Sequence, residues 1–485
     1  MDYKITGYKP EKLFHFFEEI SAIPRGSGNE KGISDYLVKF AKDRNLWVHQ
    51  DEAYNVIIKK EGSEGAKDKE PVMLQGHIDM VCDKLAGVEH DFEKDGIDLV
   101  VKDGVLSANG TTLGADNGVA VALMMMVLDD DDIKHPPVEC VFTTEEEVGL
   151  NGAQALDKSL ITARTMINMD SEDEGVATIS CAGGLRIQFT RPVKREAAEG
   201  SLLSIKIEGL LGGHSGMDIS KERQNANLLM ARMADHLMRN TDGRLVTFAG
   251  GTKDNAITRE CEASFIYANK EEAEKAEKLS CALAEVMADE ITPDEPDFAC
   301  VISLEEGRIA SAIPAEDAKA FIGAIRLAPN GVFSRNMKMD GFVVTSSNMG
   351  VVKADEDSLM IVVSPRSSVA SLQENTKDRF QTLADTFGFT AEYSGEYPGW
   401  SFVEKSRIRE VFIESYRELF GKELKVEAIH AGLECGLFSE ALPGLDAIAV
   451  GPTLYDVHTP DEHVPLDSFE RFYELLKDVL ARLAK

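Results

Sequence analysis

The chain contains few cysteines, and they follow no disulfide or metal-binding pattern. Its 485 residues include seven cysteines, an odd number, and no C-x-x-C pair. Such usage argues against a disulfide framework and indicates a reducing compartment. We therefore predict a cytoplasmic protein whose thiols are reduced, and we interpret those of Cys82 and Cys435 as small packing groups.

Long apolar runs and excess positive charge are also missing. No stretch approaches the roughly 18 consecutive apolar residues that a membrane-spanning helix needs. The N-terminus lacks the charged-then-apolar layout of a signal peptide. The net charge is −32 at pH 7, because 84 acidic residues outnumber 52 basic ones. This charge argues against nucleic acid and against an anionic membrane as partners.

The length of the chain and the order of its predicted elements indicate two domains, one inserted into the other. A chain of 485 residues is too long for one ordinary core. Helices and strands alternate up to about residue 186 and again after about residue 397. We therefore predict a discontinuous α/β domain over residues 1–186 and 397–485, with a central mixed sheet flanked by helices. Residues 187–396 show alternating strands accompanied by helices, which predicts an α+β lid domain.

Histidine and acidic side chains recur at the ends of predicted strands. The strand predicted at 71–76 is followed by His77 and Asp79, which lie two residues apart and so point the same way on an extended chain. A metal-bound histidine usually donates its other ring nitrogen to a carboxylate, so Asp79 could orient His77. Taken alone, a histidine at the end of a buried strand is more often a structural residue.

Four further sites share this setting and change the interpretation. They are Asp116 before a long apolar helix, the glutamate triplet at 145–147, Asp170, and His458 in a late loop. Alone, Asp116 would be a helix N-cap and the triplet a solvated turn. Because sites in open α/β sheets collect at the carboxyl ends of strands, we expect these residues to meet. Imidazole with carboxylate suits zinc or another first-row divalent cation, and two such cations sharing a carboxylate form a hydrolytic centre.

The order of these motifs resembles the co-catalytic zinc peptidases of the carnosinase and aminoacylase type. Within that group, the finer strings resemble the aminoacyl-histidine (Xaa-His) dipeptidases, and the resemblance covers essentially the whole chain. The matching strings are IPRGSGNE at 23–30, LQGHIDMVCDK at 74–84, LGADNGVAVA at 113–122, EEEVGLNGA at 145–153, INMDSEDEG at 167–175, HAGLECG at 430–436 and VHTPDEHV at 457–464.

The resemblance implies two divalent cations per chain, zinc first, with cobalt or manganese as alternatives. The implied ligands are His77, Asp116 and Asp170 for one cation, and Asp116, Glu147 and His458 for the other. Asp116 would then bridge the cations, Asp79 would orient His77, and Glu146 would be the general base. The triplet leaves an ambiguity of one residue, and this alignment puts Glu145 outside the site. A cis peptide bond after Asp116 is implied as well.

The predicted lid also contains residues that the resemblance assigns to the substrate. His214, in a glycine-rich loop, is expected to reach over the site and donate to the developing oxyanion, although a histidine there can also be merely exposed. Asn255 and Arg366 match substrate-contacting positions. Arg366 could bind a C-terminal carboxylate in a bidentate manner or form a surface salt bridge. Glu434 is a candidate partner for a free α-ammonium.

The predicted activity is the hydrolysis of unblocked dipeptides, with a preference for Xaa-His left open. A water molecule activated by two metals would lose its proton to Glu146 and attack the peptide carbonyl. Three alternatives remain: an N-acyl amino-acid deacylase using the same centre, an aminopeptidase acting on longer peptides, and a nonenzymatic metal- or peptide-binding protein. Asp170 favours a dipeptidase, because deacylases of the resembled group tend to have Glu there. Whether the chain forms a homodimer is left open.

Overall fold

The chain forms two compact units in the computed structural model, which describes residues 3–291, 293–339 and 341–485. The first unit comprises the chain up to Cys181 together with Trp400–Ala428 and Leu433–Lys485, and the second comprises Ala182–Gly399 and Ile429–Gly432. The boundaries predicted at residues 186 and 397 lie within a few residues of the points where the chain passes from one unit to the other, after Cys181 and after Gly399. The sequence did not indicate that the short segment Ile429–Gly432 belongs to the second unit.

The helices and strands are numbered in chain order. The helices are α1 (Glu11–Ser21), α2 (Lys31–Asp43), α3 (Ala115–Asp129), α4 (Asn151–Ala155), α5 (Ala226–Asn240), α6 (Lys270–Ile291), α7 (Ala315–Leu327), α8 (Ala370–Phe387), α9 (Arg407–Phe420), α10 (Cys435–Ala441) and α11 (Leu466–Leu483). The strands are β1 (Trp47–Gln50), β2 (Val56–Lys60), β3 (Val72–His77), β4 (Leu99–Lys102), β5 (Val105–Ala108), β6 (Val138–Thr143), β7 (Thr165–Asn168), β8 (Val176–Cys181), β9 (Gly183–Pro192), β10 (Glu196–Glu208), β11 (Gly213–His214), β12 (Arg244–Gly250), β13 (Ala256–Ile257), β14 (Cys261–Tyr267), β15 (Ala299–Ala312), β16 (Gly331–Asn336), β17 (Phe342–Ala354), β18 (Ser358–Ser367), β19 (Thr390–Tyr397), β20 (Lys425–Ile429), β21 (Asp446–Ala449) and β22 (His463–Pro465). Within the described ranges, no helix is long and apolar enough to cross a membrane.

The first unit is built on an eight-stranded mixed sheet with the order β1-β2-β6-β3-β7-β21-β8-β20. Its middle strands β6, β3, β7 and β21 are parallel, and β1, β2 and β8 run antiparallel to their neighbours. Every residue of β3 and β6 is buried, as expected for strands covered on both faces. The predicted central mixed sheet flanked by helices is therefore confirmed.

The parallel strands bring the predicted site residues to one edge of this sheet. β3 ends at His77, β6 ends three residues before Glu146, and β7 ends two residues before Asp170. The loop after β21 contains His458. Because neighbouring parallel strands end on the same side, their carboxyl ends form a common rim, where sites of α/β proteins lie.

Helix α3 lies next to this rim and packs on β3 and α1. From Gly118 to Leu128 all its residues are buried, which is expected of a helix that is apolar around its whole circumference. Gly114 precedes the helix with a left-handed φ of +70°, which favours glycine. The peptide bond between Asp116 and Asn117 is cis, which confirms the expectation from the resemblance.

The second unit contains a nine-stranded antiparallel sheet with the order β15-β10-β14-β12-β17-β18-β9-β19 and with β16 paired to β17. Helices α5 to α8 share an apolar core with one face of this sheet. The sequence did not predict α7. It also began α5 four residues early, because Asn225 caps the helix and Glu222 adopts a left-handed φ of +53°. A short pairing of β11 with β13 places His214 opposite Ala256, the neighbour of Asn255.

Candidate metal centre and its surroundings

His77, the last residue of β3, has carboxylates beside both ring nitrogens. Its Nε2 lies 3.1 Å from Asp116 Oδ1 and 3.4 Å from Asp170 Oδ1. Its Nδ1 lies 3.2 Å from Asp79 Oδ1. The imidazole is buried, so its orientation is determined by these neighbours. This arrangement, one nitrogen toward an orienting acid and the other toward further ligands, is typical of metal-bound histidine.

Asp79 connects His77 with the glutamate triplet. Its carboxylate accepts hydrogen bonds from the Ser27 hydroxyl at 2.8 Å and from the backbone N–H groups of Glu146 and Glu147 at 3.1 and 3.3 Å. Burial raises the pKa of Asp79, but the hydrogen bond and charge of His77 outweigh that effect and keep the pKa below its usual value. Asp79 is therefore a stable anion that holds a predicted ligand and the backbone of the triplet together.

Asp116 presents one carboxylate oxygen to each of two imidazoles. Oδ1 faces His77, and Oδ2 lies 3.1 Å from His458 Nε2, which in turn lies 3.0 Å from Glu147 Oε1. Asp116 therefore belongs to two groups of candidate ligands, and within each group the ligand atoms lie within 4.8 Å of one another. The groups are His77 with Asp116 and Asp170, and Asp116 with Glu147 and His458. These are the two ligand sets that the resemblance implies.

The charges of this cluster fit divalent cations. Burial lowers the pKa of His77, but the charge of Asp170 and the hydrogen bond to Asp116 outweigh burial and raise this pKa well above its usual value. Hydrogen bonds that His458 donates to the carboxylates of Asp116 and Glu147 raise its pKa to about 10. The excess of carboxylates that favours a proton on each imidazole also favours a cation between nitrogen and oxygen ligands. Binding a cation would displace those protons.

The members of the glutamate triplet have different surroundings. Glu147 contacts His458, whereas Glu145 accepts a hydrogen bond from Asn151 Nδ2 at 2.9 Å, away from the cluster. Glu146 forms a third candidate ligand group with His77 and Glu147. Burial raises the pKa of Glu146 well above its usual value; the charge of His77 opposes this rise and that of Asp170 adds to it. The geometry thus leaves Glu146 beside the cluster with a perturbed carboxyl, as a proton-transfer group requires.

Glu434 lies behind the rim, with none of its surface exposed. Its Oε2 accepts hydrogen bonds from Thr143 Oγ1 at 2.8 Å and from Gln75 Nε2, and Gln75 Oε1 accepts one from Asn168 Nδ2 at 2.6 Å. Its Oε1 has no hydrogen-bond partner among the residues that the structure describes. A substrate ammonium, the partner predicted for Glu434, could reach this carboxyl only if the surrounding residues opened.

The buried carboxyl of Glu434 should make stability depend on pH. Burial raises its pKa from 4.5 to about 7, with the charge of His77 opposing and that of Asp170 adding to the rise. As pH rises, the unfolded chain loses this proton near pH 4.5, whereas the folded chain keeps it until about pH 7. The free energy of unfolding therefore falls between about pH 4.5 and 7, by at most about 3 kcal/mol. In urea unfolding of the metal-free protein, we expect Glu434→Gln to lose less stability than wild type between pH 5 and pH 8. Parallel curves would contradict the assignment.

His214, in the second unit, is arranged as a hydrogen-bond donor. Its Nδ1 accepts the backbone N–H groups of Gly216 at 3.2 Å and Met217 at 3.1 Å. The proton of the neutral ring must then be on Nε2. Burial, followed by the charge of Arg366, lowers the pKa of His214 and so favours the neutral ring. The imidazole therefore offers an N–H at neutral pH.

Arg366 and Asn255 line one cavity of about 230 Å³ in the second unit, together with Arg186, Asp254 and Tyr397. Arg366 Nη1 donates a hydrogen bond to the Tyr397 hydroxyl at 2.8 Å. Its Nε is buried and has no hydrogen-bond partner in the described part of the chain. The choice between the two interpretations of Arg366, a contact with a substrate carboxylate and a surface salt bridge, stays a prediction.

Sequence reasoning missed three buried residues near these groups. Arg25 and Glu462 lie in the first unit, and His430 lies in the second, where its Nε2 is 2.7 Å from Ser346 Oγ. Burial, followed by the charge of Arg366, lowers the pKa of His430 to about 3, so this ring is neutral. All three belong to the sequence strings on which the family resemblance rests, and this membership could have marked them as candidates. Their spacing from the ligands, however, does not suggest a role.

The rim of this α/β sheet brings two imidazoles together, and the start of α3 places one carboxylate beside both. This arrangement defines a candidate hydrolase with a two-metal centre. A family model described as "Peptidase family M20/M25/M40" matches residues 73–482, and the chain belongs to this family. This match confirms the family and the fold class predicted from the sequence.

Individual relatives match over nearly the whole chain. The cytosol non-specific dipeptidase of Escherichia coli (strain K12) is 34% identical over 482 residues, which cover 99% of each protein. The crystal structure of the aminoacylhistidine dipeptidase from Vibrio alginolyticus superposes with a TM-score of 0.93 at 35% identity, covering 99% of this chain and 98% of that one. The aminopeptidase PepT from Bacillus cereus gives a TM-score of 0.56 at 17% identity, with 99% and 100% coverage, and shows a shared fold only.

Proposed function

We propose that this family member is a cytoplasmic dipeptidase that hydrolyses the peptide bond of unblocked dipeptides with two bound divalent cations. Membership in a peptidase family and full-length similarity to two dipeptidases support the reaction. The observation that carries the proposal is the position of Asp116, which has one oxygen about 3.1 Å from each of two imidazoles. A carboxylate in that position can be shared by two cations.

The proposed ligands are the two sets centred on Asp116. They are His77, Asp116 and Asp170 for one cation, and Asp116, Glu147 and His458 for the other. When bound, the cations polarise the peptide carbonyl and lower the pKa of a water molecule. Zinc is proposed first, with cobalt and manganese as alternatives, because these ions accept mixed imidazole and carboxylate ligands.

The remaining steps are proposed for side chains of this protein. Glu146 takes a proton from the attacking water and later delivers it to the leaving amine. Asp79 keeps His77 oriented and holds the backbone of Glu146 in place through its N–H. His214, whose Nε2 carries the proton, donates to the substrate carbonyl oxygen as negative charge develops there.

Substrate ends are proposed to be recognised by charge. Arg366, with Asn255 beside it in the same cavity, is the proposed partner of the C-terminal carboxylate, since a guanidinium binds carboxylate through two parallel hydrogen bonds. The free ammonium is proposed to pair with a carboxylate of the acidic centre. Glu434 can take that part only if its surroundings open, because its side chain is buried.

Kinetics on three related substrates test this proposal. Acetylating Gly-His should lower kcat/KM by about 10²-fold or more, because a buried carboxylate loses its ammonium partner, at a cost of several kcal/mol. Converting Gly-His to its amide should also lower kcat/KM, through the lost contact with Arg366. The variant Arg366→Met provides the matched control, since it should remove most of the difference between acid and amide.

Each alternative activity predicts a different kinetic result. Equal kcat/KM for free and acetylated Gly-His would indicate an N-acyl amino-acid deacylase. Equal values for acid and amide would indicate an aminopeptidase that accepts longer chains and would remove the role of Arg366. Gly-Leu, measured alongside Gly-His, decides whether a C-terminal histidine is preferred.

A further inference from the structure

A single buried carboxylate holds the turn that presents Asp116. Glu462 is only 2% exposed, yet both of its oxygens accept hydrogen bonds from successive backbone N–H groups. Oε2 accepts from Leu113 at 2.7 Å and Gly114 at 2.8 Å, and Oε1 accepts from Ala115 at 2.8 Å and Asp116 at 3.2 Å. The carboxylate therefore determines the course of the backbone up to the proposed bridging ligand.

Arg25 holds the same turn through its carbonyl groups. Its Nη2 donates a hydrogen bond to the Gly114 carbonyl, and its Nη1 donates to the carbonyls of Ile78 and Asp79 at 3.0 and 3.2 Å. The guanidinium thereby links the turn before α3 with the segment directly after His77. Arg25 is also only 2% exposed, and charged groups are seldom buried this deeply unless they are paired and hydrogen-bonded.

The two glycines that flank Asp116 make room for this guanidinium. A Cβ atom at Gly114 would lie 2.6 Å from Arg25 Nη2, and one at Gly118 would lie 2.7 Å from the same atom. Both distances are shorter than any ordinary contact between a carbon and a nitrogen atom. The close approach of Arg25 therefore explains why glycine stands at both ends of the Gly-Ala-Asp-Asn-Gly string.

Glu462 also belongs to the loop that contains His458. It lies four residues after that histidine, and its backbone N–H donates to the Thr459 carbonyl at 3.1 Å. Glu462 and Asp116 are 346 residues apart in the sequence, so the carboxylate joins two distant segments. Each of these segments provides a proposed ligand of the same cation, namely Asp116 and His458.

We infer that Glu462 and Arg25 are positioning residues for Asp116, which keep its carboxylate between His77 and His458. This inference rests on the metal centre proposed above. Groups that orient metal ligands typically contribute about 10- to 100-fold to metal affinity. Because Asp116 is the ligand that both cations would share, loss of its support should weaken both binding events. By contrast, loss of a residue that orients a ligand of only one cation should weaken the binding of that cation alone.

Calorimetric titration of the metal-free protein with Zn²⁺ tests the inference. In Glu462→Gln an NH2 group replaces one of the two oxygens that accept hydrogen bonds, and it cannot accept from the backbone N–H groups it faces. We therefore expect the affinities for both Zn²⁺ ions to fall by about 10- to 100-fold. Glu462→Asp keeps the charge but is too short to reach all four N–H groups, and it should give a smaller loss in both. Asp461→Asn removes the same charge from the exposed neighbouring position and should bind like wild type. Co²⁺ absorption spectra should change in the Glu462 variants only.

The outcomes separate this inference from the proposal on which it rests. If wild type fails to bind two cations, the metal centre itself is wrong. If wild type binds two and Glu462→Gln binds both with unchanged affinity and an unchanged Co²⁺ spectrum, Glu462 serves the fold alone and the inference is wrong, whatever the melting temperature shows. Glu462→Asp decides the same question should Glu462→Gln fail to fold.

Discussion

Replacing Glu146 with alanine is expected to lower kcat by at least about 10²-fold while both cations stay bound, because proton transfer by a positioned side chain contributes on that scale. The carboxyl of Glu146 lies beside the candidate ligands, and its backbone N–H donates to Asp79. The backbone contact survives the substitution, so the remaining ligands should keep their positions. Steady-state kinetics combined with elemental analysis of the same sample would measure both effects.

The neighbouring glutamates provide the controls for this experiment. Glu147→Ala should lose metal, since Glu147 Oε1 lies 3.0 Å from His458 Nε2 within one candidate ligand set. Glu145→Ala should retain metal and most activity, because Glu145 contacts Asn151 instead. Metal loss in Glu146→Ala with metal retained in Glu147→Ala would show that the two roles are exchanged within the triplet.

Removal of the cations is expected to abolish turnover and to leave the chain folded. The candidate ligands lie at the rim of a sheet whose strands β3 and β6 are buried throughout, so the apolar core does not depend on the metal. In small metal-dependent domains, by contrast, metal binding supplies the folding free energy. Chelation, followed by activity assays and far-ultraviolet circular dichroism, should separate the two properties. Added Zn²⁺, Mn²⁺ or Co²⁺ should restore turnover.

Two results would contradict this expectation. Full activity after verified metal removal would eliminate the proposed mechanism altogether. Cooperative unfolding upon chelation would mean that the cations stabilise the fold, which would contradict the assignment of a purely catalytic centre. Elemental analysis of the chelated sample is essential in either case, because tightly bound cations can survive chelation.

Most of the sheet around the centre could be predicted because its signals are local. Apolar β-branched runs indicated β3, β6 and β7, and each run ends near a histidine or an acid. The division of roles within the ligand sets required the resemblance to a family, since spacing alone does not distinguish Glu146 from Glu147. The start of α5 was misjudged because the capping Asn225 lies inside a polar segment that resembles a helix.

The sequence by itself determined that four strand ends would deliver imidazoles and carboxylates to one rim, because strand periodicity and strand termini depend only on neighbouring residues. The tertiary structure alone decided which buried charges meet. It placed Glu462 on the backbone of a turn 346 residues away and enclosed Glu434 behind the rim. It also paired Arg366 with Tyr397. The reason is physical: the partner of a buried charge depends on which distant segments the packing brings within hydrogen-bonding distance, and no local pattern records that choice.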